Sequence, residues 1–177
     1  MRAILRRPVV IGLLVLGLVA AGFGALWFQP WKLWVDETVR EELPAAAAPA
    51  AQDQGAAAAA PRTVAAGELI SHEHRTTGSI KIVRLADGSH VLRLENLDTS
   101  NGPALRVLLA DAPVKEGRAG WHVFDDKSHL SLGELKGNKG DQNYALPRDV
   151  DLSDYNSVSI WCDRFDVSFG AAELSRV

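Results

Sequence analysis

The chain has one cysteine, one methionine and two tyrosines in 177 residues, and each scarcity excludes something. A single thiol, Cys162, forms no internal disulfide, so the fold has to rest on apolar packing. Basic residues are not in excess: 19 Lys/Arg stand against 22 Asp/Glu. After Ala66 the balance is thirteen against seventeen. A surface of that sign does not displace counterions from a phosphate backbone, which excludes nucleic-acid binding. Familiar catalytic signatures are missing too. "GELKGNKGDQN" at 133–143 is rich in glycine but lacks Walker spacing and its Gly-Lys-Ser/Thr ending, and reads as a connecting loop with two tight turns. "DTSNG" at 98–102 lacks the alternating acids and terminal Glu of an EF-hand, and reads as an Asx-turn. No serine stands in a nucleophile elbow.

Charge is absent altogether from Pro8 to Trp31. A helix crossing the hydrocarbon core needs about 20 apolar residues, and Val9 to Phe28 meets that length. Arg2, Arg6 and Arg7 precede the span, so the positive-inside rule keeps residues 1–8 cytoplasmic. Trp27, Phe28, Trp31 and Trp34 then fall where an aromatic belt lies. The competing reading is a cleaved secretory signal, with small residues at Ala20, Ala21, Gly22 and Gly24. A signal's apolar core usually spans only about 7–15 residues, which favours an uncleaved, single-pass anchor in the plasma membrane. Both readings export the remainder of the chain.

Residues 29–43 are expected as a juxtamembrane stalk, a reading favoured over a short helix leaving the membrane across "WKLWVDETVREEL" at 31–43. Residues 44–66, "PAAAAPAAQDQGAAAAAPRTVAA", are low-complexity. They bury too little apolar surface to offset chain entropy, and prolines 44, 49 and 61 interrupt any alanine helix. That composition predicts a disordered linker reaching roughly 25–70 Å and holding the domain off the membrane.

From residue 67 to 177 the pattern is short alternating runs broken by turn residues. Ile80 and Ile82 lead into "ADGS" at 86–89, and Leu92 and Leu94 come next, as in a hairpin turning on Asp-Gly. Leu105, Val107 and Leu109 alternate again. Further runs lie near 130–135, 143–146, 157–162 and 166–170. No amphipathic stretch of helical length interrupts them. The fold class is therefore mainly β, an antiparallel β-sandwich or barrel, with Leu92, Leu94, Leu105, Val107, Ile160, Val167 and Phe169 in its core.

Two places could carry chemistry. In "SHEH" at 71–74, His72 and His74 would share one face of a strand and present two imidazoles to a metal. A closed metal site generally wants three or four protein ligands, and an edge strand with two polar residues explains the pair as well. The other place is "SVSIWCDRFDVSF" at 157–169. Val158, Ile160 and Cys162 are even-numbered; Phe165, Val167 and Phe169 are odd-numbered. One face of a two-residue repeat cannot hold both sets. Either a bulge or turn intervenes at Asp163–Arg164, or both faces are covered. Cys162 is then either a small core hydrophobe or a functional sulfur. An apolar pocket disfavours its thiolate, so function would need support from Arg164, a metal or haem iron.

"GELISHEHRTTGSIKI", "LRLENLDTSNGPALRVLL", "LGELKGNKGDQNYALP" and "YNSVSIWCDRFDVSFGAAEL" together resemble the DM-thirteen domain, an extracytoplasmic module found alone in bacteria and beside DOMON domains in animals. The resemblance covers about Gly67 to Leu174. It implies a role in electron transfer, with Cys162 matching the family's characteristic cysteine as a bare thiol or as a ligand of a group such as haem. His74 matches its typical histidine. Ala104 stands where an acidic residue often comes after Asn-Gly-Pro, so no role is assigned there. Two classes stay open: a membrane-tethered redox module with an envelope redox partner, and a non-catalytic adhesion or envelope-binding module whose cysteine only packs.

Overall fold

The computed structural model describes residues 2–44, 60–126 and 128–177, with side chains from Arg7 onward. Most of the expected linker, residues 45–59, lies outside the described residues. Helix α1 (Arg2–Phe28) contains the uncharged run. Its segment Arg7–Phe28 contains an 18-residue stretch with a mean hydropathy of 2.6 and no buried residues, and it is long and apolar enough to cross a membrane or to serve as a signal sequence. The helix stops at Gln29, which takes a left-handed φ of 46° before the 3-10 turn Pro30–Trp34.

Beyond that turn the described residues form eleven strands: β1 (Thr38–Arg40), β2 (Arg62–Glu68), β3 (Ile70–Ser71), β4 (Thr77–Arg84), β5 (His90–Asp98), β6 (Leu105–Ala110), β7 (His129–Glu134), β8 (Lys139–Ala145), β9 (Ser157–Cys162), β10 (Val167–Glu173) and β11 (Ser175–Arg176). They make two sheets, in the orders β1-β8-β5-β4-β2-β11 and β3-β10-β9-β6-β7. The fold is mainly β and sandwich-like, as the alternating runs require. Every pair is antiparallel except β1 with β8, which is parallel. The β4–β5 hairpin turns where Asp-Gly was expected, with the Gly88 N–H donating to the Leu85 carbonyl.

Strand β1 changes the meaning of the segments before residue 67. The stalk expected over 29–43 is not a helix beyond Trp34, because Thr38–Arg40 joins the first sheet as an edge strand. Glu41 fastens it: its carboxylate accepts from the Lys136 ammonium at 2.7 Å and from the Asn143 N–H at 2.7 Å. The glycine-rich run is not simply a loop either, since residues 139–145 are strand β8. Gly140 has a φ of 93°, and a Cβ there would come within 2.0 Å of the Val39 carbonyl oxygen. Gly137 is equally confined by the Glu37 carbonyl. These glycines let β1 lie against β8.

The alanine-rich stretch therefore runs between two strands of one sheet, not from anchor to domain. Its C-terminal part, from Arg62, is strand β2 and pairs with β4. Before it, Leu43 packs on Val83, Leu85 and Val91; after it, Arg62 pairs with Arg84. Both ends sit beside the β4–β5 turn. Val35 and Asp36 are held at the opposite end, by Asn101 and Asn138.

The main core lies between the sheets. Ile80, Ile82, Leu92 and Leu94 from one sheet meet Val107, Leu109, Val158, Ile160, Val167 and Phe169 from the other. A second cluster, Leu108, Ala110, Ala112, Phe124, Trp161 and Ala171, covers the outer face of the second sheet. All six residues of β9 are consequently buried.

Candidate functional site

The phase break after Cys162 has two causes. Residues 163–166 form a tight turn closing the β9–β10 hairpin, with Asp166 at a φ of 55°. A register shift between Ser168 and Gly170 then moves the phase again. The result is that Val167 and Phe169 enter the same core as Val158, Ile160 and Cys162. Phe165 belongs to the turn and is half-exposed.

Cys162 closes β9, opposite Leu105 of β6 and Val167 of β10. Its side chain is 0% exposed, and its S–H donates to the Pro103 carbonyl at 3.1 Å. Burial pushes its pKa up. The N–H groups of Phe165 and Arg164 act against that rise, while the charges of Glu73 and Asp163 add to it. At neutral pH this sulfur is a thiol.

Arg164 supplies its backbone N–H to this environment; its guanidinium lies elsewhere, over the Trp27 ring at 3.8 Å. His74 packs on Phe169 with ring centroids 3.9 Å apart and planes tilted by 42°, and its Nε2 is 3.4 Å from Glu73. It thus shares the Cys162 end through Phe169 and Glu73. His72 faces a different layer. Its Nε2 donates to the Lys115 carbonyl at 3.0 Å and its Nδ1 meets the Ser168 hydroxyl at 2.8 Å. Desolvation holds its pKa down, so the neutral ring donates at Nε2 and accepts at Nδ1. No lone pair is left for a metal. Among the described residues no group of three or more His, Cys, Asp or Glu is gathered to hold one.

Residue patterning alone did not single out the buried polar row that supports these groups. The Ser159 hydroxyl donates to Ser168 at 2.9 Å, continuing the row from His72. Thr76 donates to the Phe169 carbonyl at 2.9 Å and meets the Thr99 hydroxyl at 2.8 Å. A Cβ at Gly170 would fall 2.6 Å from Thr76, so only glycine allows that approach. Alternation of Ser157, Ser159 and Ser168 with apolar residues was the available signal; in an ordinary sandwich it would mean a solvated face.

A haem group does not fit beside Cys162 as the chain is folded. The sulfur is enclosed by protein, and the cavity lined by its neighbours Ala104, Leu105 and Arg164 holds about 220 Å³, below the roughly 300–1,000 Å³ of ordinary ligand pockets. No step through such a group is supported by this geometry.

The family model for Electron transfer DM13 matches residues 68–174, more than half of the chain. The chain belongs to that family. Nothing matches it among the curated proteins or among the solved structures. The DM13 match runs from the last residue of β2 to the residue after β10, so β1, most of β2 and β11 lie beyond it. What the site itself can do is limited by access. The thiol is fully buried beneath the Pro103 carbonyl, and a buried, protonated sulfur is a poor nucleophile.

Proposed function

We propose that the chain is a membrane-tethered, extracytoplasmic electron-transfer module whose redox group is the Cys162 thiol. Membership of the DM13 family supports electron transfer. The observation that carries Cys162 is its place: the chain's one thiol closes a strand immediately before a four-residue turn at the end of the sandwich. The uncharged run of α1 anchors the chain in the plasma membrane, with the arginine-rich end cytoplasmic. Electrons pass by thiol–disulfide exchange with an envelope redox partner. A sulfur–sulfur bond forms between Cys162 and one partner sulfur, the partner's disulfide breaks, and the thiol proton leaves with the departing sulfur. Arg164 contributes a backbone N–H to the sulfur, and His74 braces Phe169 beside it.

Complete burial of Cys162 favours a second reading, an envelope-binding module in which the sulfur is core. The experiment is exposure of the full chain in lipid nanodiscs to glutathione disulfide, with intact mass as the readout. A single glutathione adduct, absent from a folded Cys162→Ser variant, is the expected result. A native-like chain that gains no adduct and shows no redox wave refutes the redox assignment and leaves the binding module.

A further inference from the structure

The domain stands close to the end of α1. Six residues separate Phe28 from Val35, and Pro30–Trp34 form a 3-10 turn whose rise is about 2.0 Å per residue, roughly 10 Å in all. Val35 is already fixed to the domain, its carbonyl accepting from Asn101 at 2.9 Å. The β9–β10 turn meets the helix end directly. Phe165 stacks on Phe28 with centroids 5.8 Å apart and planes 16° from parallel, and Arg164 covers the Trp27 ring. Phe28 and Phe165 nevertheless remain 49% and 48% exposed, beside Trp31 at 45% and Trp34 at 80%. Helix and turn thus share a stacked, half-exposed aromatic pair, and the connector adds two exposed tryptophans. In that turn, the Arg164 Nη1 is buried and has no hydrogen-bond partner. Arg164 and Lys32 line the same 220 Å³ cavity, which Glu37 and Glu134 also line.

Aromatic side chains at the end of a spanning helix sit at headgroup level, and an arginine there buries its stem and offers its charge to phosphate. We propose that the β9–β10 turn is a second membrane contact: Phe165 enters the headgroup region beside Phe28, and Arg164 pairs with a lipid phosphate. The occupant is the leaflet into which α1 emerges, because Phe165 stacks directly on the last residue of that helix. This rests on α1 spanning the bilayer.

Nitroxide depth measurements on the full chain test both points separately. Single labels are placed through Leu14→Cys, Phe165→Cys and Ser89→Cys, in vesicles of phosphatidylcholine with a minority of phosphatidylglycerol. The buried native thiol is replaced by alanine if it takes up label. Leu14 should read hydrocarbon, Ser89 in the distal β4–β5 turn should read water, and position 165 should show an oxygen-to-nickel accessibility ratio several-fold above Ser89. Adding Arg164→Gln should lower the ratio at 165 and leave Leu14 unchanged. Lipid depth at Leu14 with an aqueous 165 overturns the docking while the anchor stands; an aqueous Leu14 overturns both. Since Phe165→Cys itself removes a ring, Asp166→Cys provides a second reporter, and an aqueous value at both positions also sinks the proposal.

Discussion

At the scale of single residues, the Cys162 environment predicts a measurable pH dependence. Burial raises the folded pKa above the unfolded value of about 8.5. The folded state therefore holds the proton more tightly. Its stabilising contribution is complete below the unfolded pKa and is lost as pH rises through the folded one. Urea unfolding between pH 7 and pH 10 should show wild type losing stability relative to Cys162→Ser across the alkaline part of that range. At pH 7, Cys162→Ser should cost about 1–3 kcal/mol, since its hydroxyl still finds the Pro103 carbonyl but replaces an apolar-lined sulfur. Parallel pH profiles for the two proteins would mean that the thiol is not shifted as its burial implies. This residue's type and its phase break were legible in the sequence. Its partner was not, because the Pro103 carbonyl approaches from 59 residues away.

At the scale of elements, β1 is the least predictable part of the fold and depends on few contacts. Three residues cannot show alternation, so no periodicity marks them as strand. What holds them is chemistry outside the strand: Gly137 and Gly140 permit the approach, and Glu41 clamps Lys136 and Asn143. The Lys136 ammonium holds the Glu41 carboxyl below its ordinary value. A depressed carboxylate contributes stability above the unfolded pKa of about 4.3, and that contribution disappears as pH falls through the folded value. Glu41→Gln should cost roughly 0.5–1 kcal/mol at neutral pH, the pair being partly exposed. Amide exchange at residues 38–40 should quicken more than in β4 or β5. Wild type and variant should converge below about pH 4. Equal protection of β1 in both proteins at pH 7 would show that the clamp is dispensable.

At the scale of the whole molecule, the position of β1 and β2 moves the domain boundary. A fragment beginning at Ala65, near the start of the 67–177 pattern, lacks β1 and half of β2. It uncovers the β8 edge and leaves Arg84 and Val83 without their β2 partners. A fragment beginning at Gln29 keeps both strands. The longer fragment should unfold cooperatively at higher urea, with an all-β circular dichroism spectrum, and the shorter at lower urea or without a sharp transition. Equal midpoints would mean that the family-matched region from residue 68 is stable without its added edge strands.

Local chemistry along the chain determined the helix with its uncharged run, the turn-punctuated alternation, the Asp-Gly hairpin and the seven predicted core positions from Leu92 to Phe169. Each depends on a repeat or turn signal contained within about twenty residues, so no distant partner is needed to see it. Tertiary structure alone decided that the alanine-rich stretch connects strands, that both ring nitrogens of His72 are engaged, and that Arg164 lies on Trp27. All three depend on which distant segments meet in the folded chain. A contact between residues scores of positions apart leaves no periodic trace in either segment, and its energy is realised only once the two sheets have closed.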